Sequence, residues 1–259
     1  MNESRDPSPA VSRALRILEA LEAAGGAPQT LSDIARTVGI AKSSASNICA
    51  ALERERMIHR VGSGYRLGMR TAELGGAFAS QFNQVREFFE VVEDDPLLSR
   101  QVVQIATLDV PDAIYLARHE GRPNRLGTPL GSRLPLIYCA VGNAMLMAMA
   151  DAQVDELLEQ EAFTPLTGRS VSSAPAVREK IAGARARGYA IDRGESFEGI
   201  CGIAVPLEPW QPGDPLMAIG VAVPGTEADD ETVARLGEAM TGAASRLSNP
   251  LARRPGAPA

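Results

Sequence analysis

Histidine, cysteine and aromatic side chains are scarce in this 259-residue chain, and each scarcity closes off a class of chemistry. The only histidines, His59 and His119, stand far apart, which argues against a His-rich metal centre and a His-dependent catalytic triad. Three cysteines, Cys49, Cys139 and Cys201, are odd in number and widely spaced, so neither a disulfide framework nor a zinc knuckle is implied. No metal, cofactor or catalytic residue is expected. No run reaches the roughly 18 apolar residues that span a bilayer, and the start MNESRDPSPA has no apolar signal region. The chain reads as soluble and cytoplasmic, with no membrane partner. Its 45% apolar content supplies a packed core and excludes global disorder, and its length suits one large domain or two small ones.

Taken whole, the formal charge of −6 argues against nucleic acid. The charge is unevenly spread, however. Residues 1–70 hold ten Arg or Lys against seven Asp or Glu, a balance of +3 that leaves −9 for the remainder. A basic head on an acidic body suggests different partners for the two parts.

From Val11 the pattern is helical, with Val11, Ala14, Leu15, Leu18 and Leu21 on one stripe. AAGGAP breaks it. Thr30-Leu31-Ser32-Asp33 then reads as a capping signal, opening a helix that carries Leu31, Ile34, Ala35 and Val38. Gly39-Ile40 ends this helix, and a second runs from about Lys42 to Arg56. A short helix, a tight turn and an amphipathic helix make a helix-turn-helix. On the second helix Ala45, Ile48, Cys49 and Leu52 form the buried stripe. Ser43, Asn47, Ala50 and Arg54 point away from it, flanked by Lys42, Ser44 and Ser46. Such a face fits the major groove, where Asn pairs with adenine and Ser bonds bases or phosphates.

Residues 57–61 and 65–67 read as two strands around Gly62-Ser63-Gly64, the wing of a winged helix, with Arg60 and Arg66 placed for phosphates. The candidate DNA-contacting set is therefore Thr30, Ser32, Lys42, Ser43, Ser44, Ser46, Asn47, Arg54, Arg60, Ser63 and Arg66, and double-stranded operator DNA is the expected partner. Over 69–92, Leu74, Phe78, Phe82, Val85, Phe89 and Val92 recur at spacings of 4, 4, 3, 4 and 3, like a coiled-coil seam. This predicts one linker helix that also contributes to a dimer contact. Beyond Leu98, strands and helices are interspersed with hairpins, which predicts an α+β domain with a largely antiparallel sheet. A Gly/Pro/Arg-rich loop is expected over 121–133. The organisation is a disordered N-terminus (1–9), a winged helix-turn-helix (10–68), a linker helix (69–96), a second domain (97–250) and a disordered tail (251–259).

Residues 11–248 resemble the IclR-type (isocitrate lyase regulator) transcriptional regulators. The N-terminal match is Ser12-Arg13-Ala14-Leu15-Arg16-Ile17-Leu18, Leu31-Ser32-Asp33-Ile34-Ala35, Gly39-Ile40-Ala41-Lys42-Ser43-Ser44 and Tyr65-Arg66-Leu67-Gly68. The C-terminal match is Pro135-Leu136, Ala140-Val141-Gly142-Asn143-Ala144, Gly188-Tyr189-Ala190-Ile191-Asp192-Arg193-Gly194-Glu195 and the run from Gly199 to Pro206. The resemblance implies a winged helix, a linker helix and a GAF-like effector-binding domain, in a homodimer or dimer of dimers that binds operator DNA under control of a small organic molecule. Whether it represses or activates depends on where the operator lies. The chain departs from the family pattern at Ala41, where a capping side chain is expected, at Asn47, where Arg is frequent, and at Arg56, where Gly is frequent.

The resemblance also implies an effector site of Ala140, Val141, Gly142, Asp192, Glu195, Ile200, Gly202, Gly220 and Ala222, with the free amides at the helix start favouring an anion. Gly202 stands where Cys, Ser or Ala is frequent in the family, and Gly220 and Ala222 stand where hydroxyl side chains occur in some acid-binding members. A roomier, drier pocket follows, for a carboxylate or aromatic effector bulkier than glyoxylate or pyruvate. Sheet crowding by the glycines is the competing reading. The alternative function is an enzyme of the acidic domain that uses Asp192, Glu195 or Cys201, with an N-terminal interaction module. Cys139, before a helix start, is the thiol expected to have a lowered pKa, although packing explains both cysteines more simply.

Overall fold

The computed structural model describes residues 6–121, 128–211 and 213–249. The expected tail (251–259), the first five residues and much of the loop expected over 121–133 lie outside these. The chain divides into two compact units, residues 1–81 and 82–259.

The first unit opens with α1 (Pro9–Ala23), whose Ile17 and Leu21 are buried. A short strand β1 (Gln29–Thr30) leads into α2 (Leu31–Val38). Thr30 caps α2: its hydroxyl accepts the Asp33 N–H at 3.2 Å. Gly39 ends it in the left-handed conformation, φ 72°. The second helix of the pair is α3 (Lys42–Arg54), packed through Ala45 and Cys49. Strands β2 (Ile58–Val61) and β3 (Gly64–Leu67) form the hairpin around Gly62, and β1 adds to β3 on the other side. One core joins these elements, built from Ile17, Leu21, Ile34, Val38, Cys49, Ile58 and Tyr65. The unit closes with α4 (Met69–Ala79), none of whose side chains is buried.

The single helix expected over 69–92 is therefore two. Residues 80–82 separate α4 from α5 (Asn83–Glu93). Val85, Phe88, Val91 and Val92 of α5 are buried in the second unit.

Six antiparallel strands form the sheet of the second unit, in the order β6-β5-β4-β9-β8-β7. They are β4 (Val102–Asp109), β5 (Asp112–Glu120), β6 (Arg133–Pro135), β7 (Ala190–Arg193), β8 (Ile200–Leu207) and β9 (Met217–Pro224). Strands alternate their side chains between faces, so Ala106, Ala204, Ala218, Gly202 and Gly220 share one face. These small residues let α6 (Ala140–Ala148) lie close to the sheet, backed by α7 (Asp151–Glu159) and α8 (Ala174–Arg187). The larger Ile105, Ile203, Ile219 and Val221 alternate to the opposite face, where α5 and α9 (Asp230–Arg246) pack. Helix α6 starts at Ala140, after the buried run Leu136–Cys139. Among the described residues no helix is long and apolar enough to cross a membrane, and no cluster of metal-ligating side chains is present.

Candidate DNA-reading surface and effector cavity

Helix α3 presents Lys42, Ser43, Ser46, Asn47 and Arg54 to solvent, while Ser44 is half-buried. Its cap position is Ala41, which offers no side-chain acceptor. The first-turn amides of α3 are thus left for an outside acceptor such as a phosphate. On α2, Ser32 is exposed, but the Thr30 hydroxyl is committed to Asp33, donating to Oδ2 at 2.6 Å and accepting from the amide. Thr30 therefore sets the start of α2 rather than offering a free hydroxyl. The Asp33 carboxyl is held below its usual range by the Thr30 hydrogen bond and by Arg36.

The wing carries Ser63 and Arg66 at its exposed surface. Arg60 is less available: its guanidinium lies 4.8 Å from the Tyr65 ring centroid, donates to the Tyr65 hydroxyl, and comes within 3.8 Å of Glu53. Arg54 comes within 3.6 Å of Glu55. Asn47 also borders an apolar groove lined by Val11, Ala14, Ile48, Leu52 and Met57.

In the second unit, seven of the nine expected effector residues line one cavity of about 50 Å³: Ala140, Val141, Asp192, Ile200, Gly202, Gly220 and Ala222. That is several times the space one water needs. Two expected residues do not line it. Gly142 packs on the chain before α6, where a Cβ would stand 2.4 Å from the Leu136 carbonyl oxygen. The Glu195 carboxylate turns to the Lys180 ammonium at 2.7 Å and accepts the Val171 N–H at 3.2 Å. Lys180 also donates to the Ile137 carbonyl at 2.9 Å, so Glu195 ties α8, the 167–171 loop and the approach to α6 together.

The expected extra room at the glycines is absent. A Cβ on Gly202 would stand 2.9 Å from the Ala140 Cβ, and one on Gly220 would stand 2.8 Å from Val141 Cγ1. Crowding by α6 accounts for both glycines, which corrects the inference of a larger pocket from their small size.

Sequence reasoning missed Gln104, Tyr115, Thr128, Ser196 and Phe197, which also line the cavity. One signal was present: Gln104 is the one amide side chain inside the strand VVQIATL, whose other residues are apolar apart from Thr107. Its side chain donates to the Thr128 carbonyl at 2.7 Å and accepts the Thr128 N–H at 3.4 Å. Asp192 accepts the Glu195 N–H at 2.6 Å and the Ser196 N–H at 3.4 Å. Burial raises its carboxyl above the usual range, against these bonds. Beside it lies the Ser196 hydroxyl, 6% exposed as a residue and without a hydrogen bond of full geometry. The Cys139 thiol is pushed up to about 12 by burial and the Cys201 thiol to about 11. The lowered pKa expected for Cys139 at a helix start is overturned, because desolvation outweighs the helix terminus there.

Two family descriptions match this chain. "IclR helix-turn-helix domain" covers residues 10–62, and "Bacterial transcriptional regulator IclR C-terminal" covers residues 83–249. The glycerol operon regulatory protein of Streptomyces griseus is 33% identical over 183 residues, 68% of this chain and 70% of that protein. The HTH-type transcriptional regulator XynR of Escherichia coli (strain K12) is 25% identical over 245 residues, 93% and 96% of the two chains. Among solved structures, an IclR homolog from Microbacterium hydrocarbonoxydans complexed with 4-hydroxybenzoate superposes with a TM-score of 0.79. It is 24% identical, with 92% of this chain and 97% of that one covered. None of these three is named as an enzyme.

Proposed function

We propose that this chain, which belongs to the IclR family of bacterial transcriptional regulators, binds operator DNA as a homodimer or dimer of dimers under control of a small organic acid in the cavity at the start of α6. The observation that carries the DNA-binding surface is the uncapped start of α3, surrounded by exposed Lys42, Ser43, Ser46 and Asn47. In this reading α3 enters the major groove, Asn47 and Ser43 contact base edges, and Lys42 and Arg66 contact phosphates. Ser32, Ser44, Arg54, Arg60 and Ser63 border that surface, with Thr30 acting through α2. The DNA-binding part ends near Gly68 and α4 follows it, while α5 packs within the second unit ahead of the effector part, which begins near residue 97.

Self-association is supported by apolar side chains that the first unit leaves exposed: Val11 and Leu15 on α1, Met69 and Leu74 on α4. An acid effector is supported by the α6 amides beside the buried Ser196 hydroxyl. The relative crystallised with 4-hydroxybenzoate supports an aromatic acid as one candidate class. The enzyme alternative has little chemical support here, since both candidate thiols are neutral at ordinary pH and Glu195 is held in an ion pair.

A gel shift with the DNA upstream of the chain's own gene tests this reading. Sequence-specific binding that survives moderate salt, and that changes when small organic acids are added, is the expected result. Absence of any sequence preference sinks it. Replacing Asn47 and Ser43 with Ala should relax base preference by about 1–3 kcal/mol per lost base contact.

A further inference from the structure

Resting on the reading of this cavity as the effector site, we infer that an organic acid enters it together with one proton, which the Asp192 carboxylate takes up as the acid's carboxylate settles against the first turn of α6. Ala140 and Val141 line the cavity, and their amides make no backbone hydrogen bond to another described residue. Beside them the Ser196 hydroxyl is buried within reach of the Asp192 carboxylate, yet makes no well-formed hydrogen bond, so it can turn to a ligand oxygen. These groups suit a carboxylate.

The charges do not. Among the described lining residues Asp192 is the sole formal charge, and none is Arg, Lys or His. An anion on the α6 amides therefore sits beside a buried carboxylate with no cation between them. Like charges at such range in a partly buried site repel more strongly than one helix terminus attracts. A proton on Asp192 removes the conflict and leaves a carboxylic acid able to donate to the ligand.

The groups facing Asp192 do not offer another route. From α8, Lys180 is held by Glu195 at 2.7 Å and by the Ile137 carbonyl. The neighbouring Arg193 bonds Asp230 at 2.8 Å. Cys139 before α6 and Cys201 on β8 have thiols pushed up to about 12 and about 11, and Tyr115 on β5 is raised well above its usual value. All three stay neutral near pH 7. Asp192 is already raised by burial, so it is the group nearest to accepting a proton.

Calorimetry on the full chain tests this, with acetate, pyruvate and benzoate as probes and acetamide and benzamide as neutral counterparts. Titrations would run between about pH 5.5 and 8, each in two buffers of different ionisation enthalpy. Above the Asp192 pKa, acid affinity should fall by about tenfold per pH unit with uptake of about one proton, while the amides show no slope. Asp192→Asn should bind the acids at about pH 8 without slope or proton uptake, and Ser196→Ala should weaken them about tenfold while keeping the slope. Acid binding that is flat with pH and takes up no proton overturns the inference and leaves the effector reading standing, with the balancing cation outside the described lining. A full slope retained in Asp192→Asn places the proton on the ligand and also overturns it. No saturable binding of any acid at about pH 5.5 removes the effector reading and the inference together. If Asp192→Asn fails to fold, Asp192→Ser takes its place in the same titrations, and a wild-type count of zero protons overturns the inference without either variant.

Discussion

Arg56 has φ 59°, the left-handed region in which a Cβ crowds the following carbonyl. The resemblance to the family implies Gly at this position, and the Arg that stands there carries a backbone cost in the structure. Arg56→Gly is expected to raise stability by about 1 kcal/mol, offset in part by Gly's own chain entropy. The Arg56–Glu73 pair lost in the exchange, at 3.3 Å, is exposed and worth little, and Glu73 keeps Arg70 at 2.8 Å. A denaturation midpoint that falls instead would refute the assignment. Ala41 is the second such residue. With no side-chain acceptor at the start of α3, Ala41→Ser should add about 1 kcal/mol. The same chemistry in reverse applies to Thr30, whose replacement by Ala should cost about 1 kcal/mol in a urea titration. These positions were legible without coordinates because caps and turns depend on one residue and its immediate neighbours. The Gly202 and Gly220 contacts were not legible, because what fills the space above a strand glycine comes from a helix some sixty to eighty residues away in the chain.

Elements built on local periodicity were read correctly as far as one core extends. The stripe Ile34, Ala35 and Val38, capped by Thr30 and closed by Gly39, forms α2 as expected. The seam from Leu74 to Val92 has the right spacing for one helix, but only its second half reaches a core. Phe88 and Val92 are buried in the second unit, whereas α4 buries nothing in the first, and the break at 80–82 carries neither Pro nor Gly to announce it. Spacing records that apolar residues share a face, not which body they face. An α4 with Met69 and Leu74 exposed is expected to meet a second copy. Leu74→Arg should then shift sedimentation towards monomer and weaken operator binding, while the melting of the second unit stays unchanged. A variant that remains fully dimeric places the interface elsewhere. On α6 the contact runs through the sheet glycines. A methyl on Gly220 would stand 2.8 Å from Val141 Cγ1 and 3.3 Å from the Ala204 Cβ. Gly220→Ala should therefore cost about 1–3 kcal/mol by overpacking and abolish the effector response, with DNA binding retained. A variant that is stable and still responsive shows that α6 can retreat from the sheet.

At the scale of the whole molecule the formal charge of −6 conceals a functional asymmetry: +3 over residues 1–70 and −9 over the rest. The basic excess is smaller in effect than in count, because Arg54 lies near Glu55 and Arg60 near Glu53. Of the four cations on the candidate DNA surface, Lys42 and Arg66 have no such partner among the described residues, so one subunit brings two to four charges to phosphates and a dimer four to eight. Each neutralised phosphate contributes about −0.9 to the slope of log affinity against log salt. A dimer on its operator should then show a slope of about −4 to −7, and a monomer about −2 to −4. Arg66→Ala should reduce the dimer's slope by about 2 and weaken binding to specific and unrelated DNA alike, leaving the ratio between them unchanged. Asn47→Ala should do the opposite, collapsing the ratio while keeping the slope. In the proposed dimer the acidic remainder would add repulsion that holds non-specific binding low, and specificity would rest on pairing two weakly basic winged helices rather than on the charge of either. A slope shallower than about −3 at protein concentrations where the chain is dimeric would mean that only one winged helix engages the DNA, and the dimeric reading of operator recognition would fall.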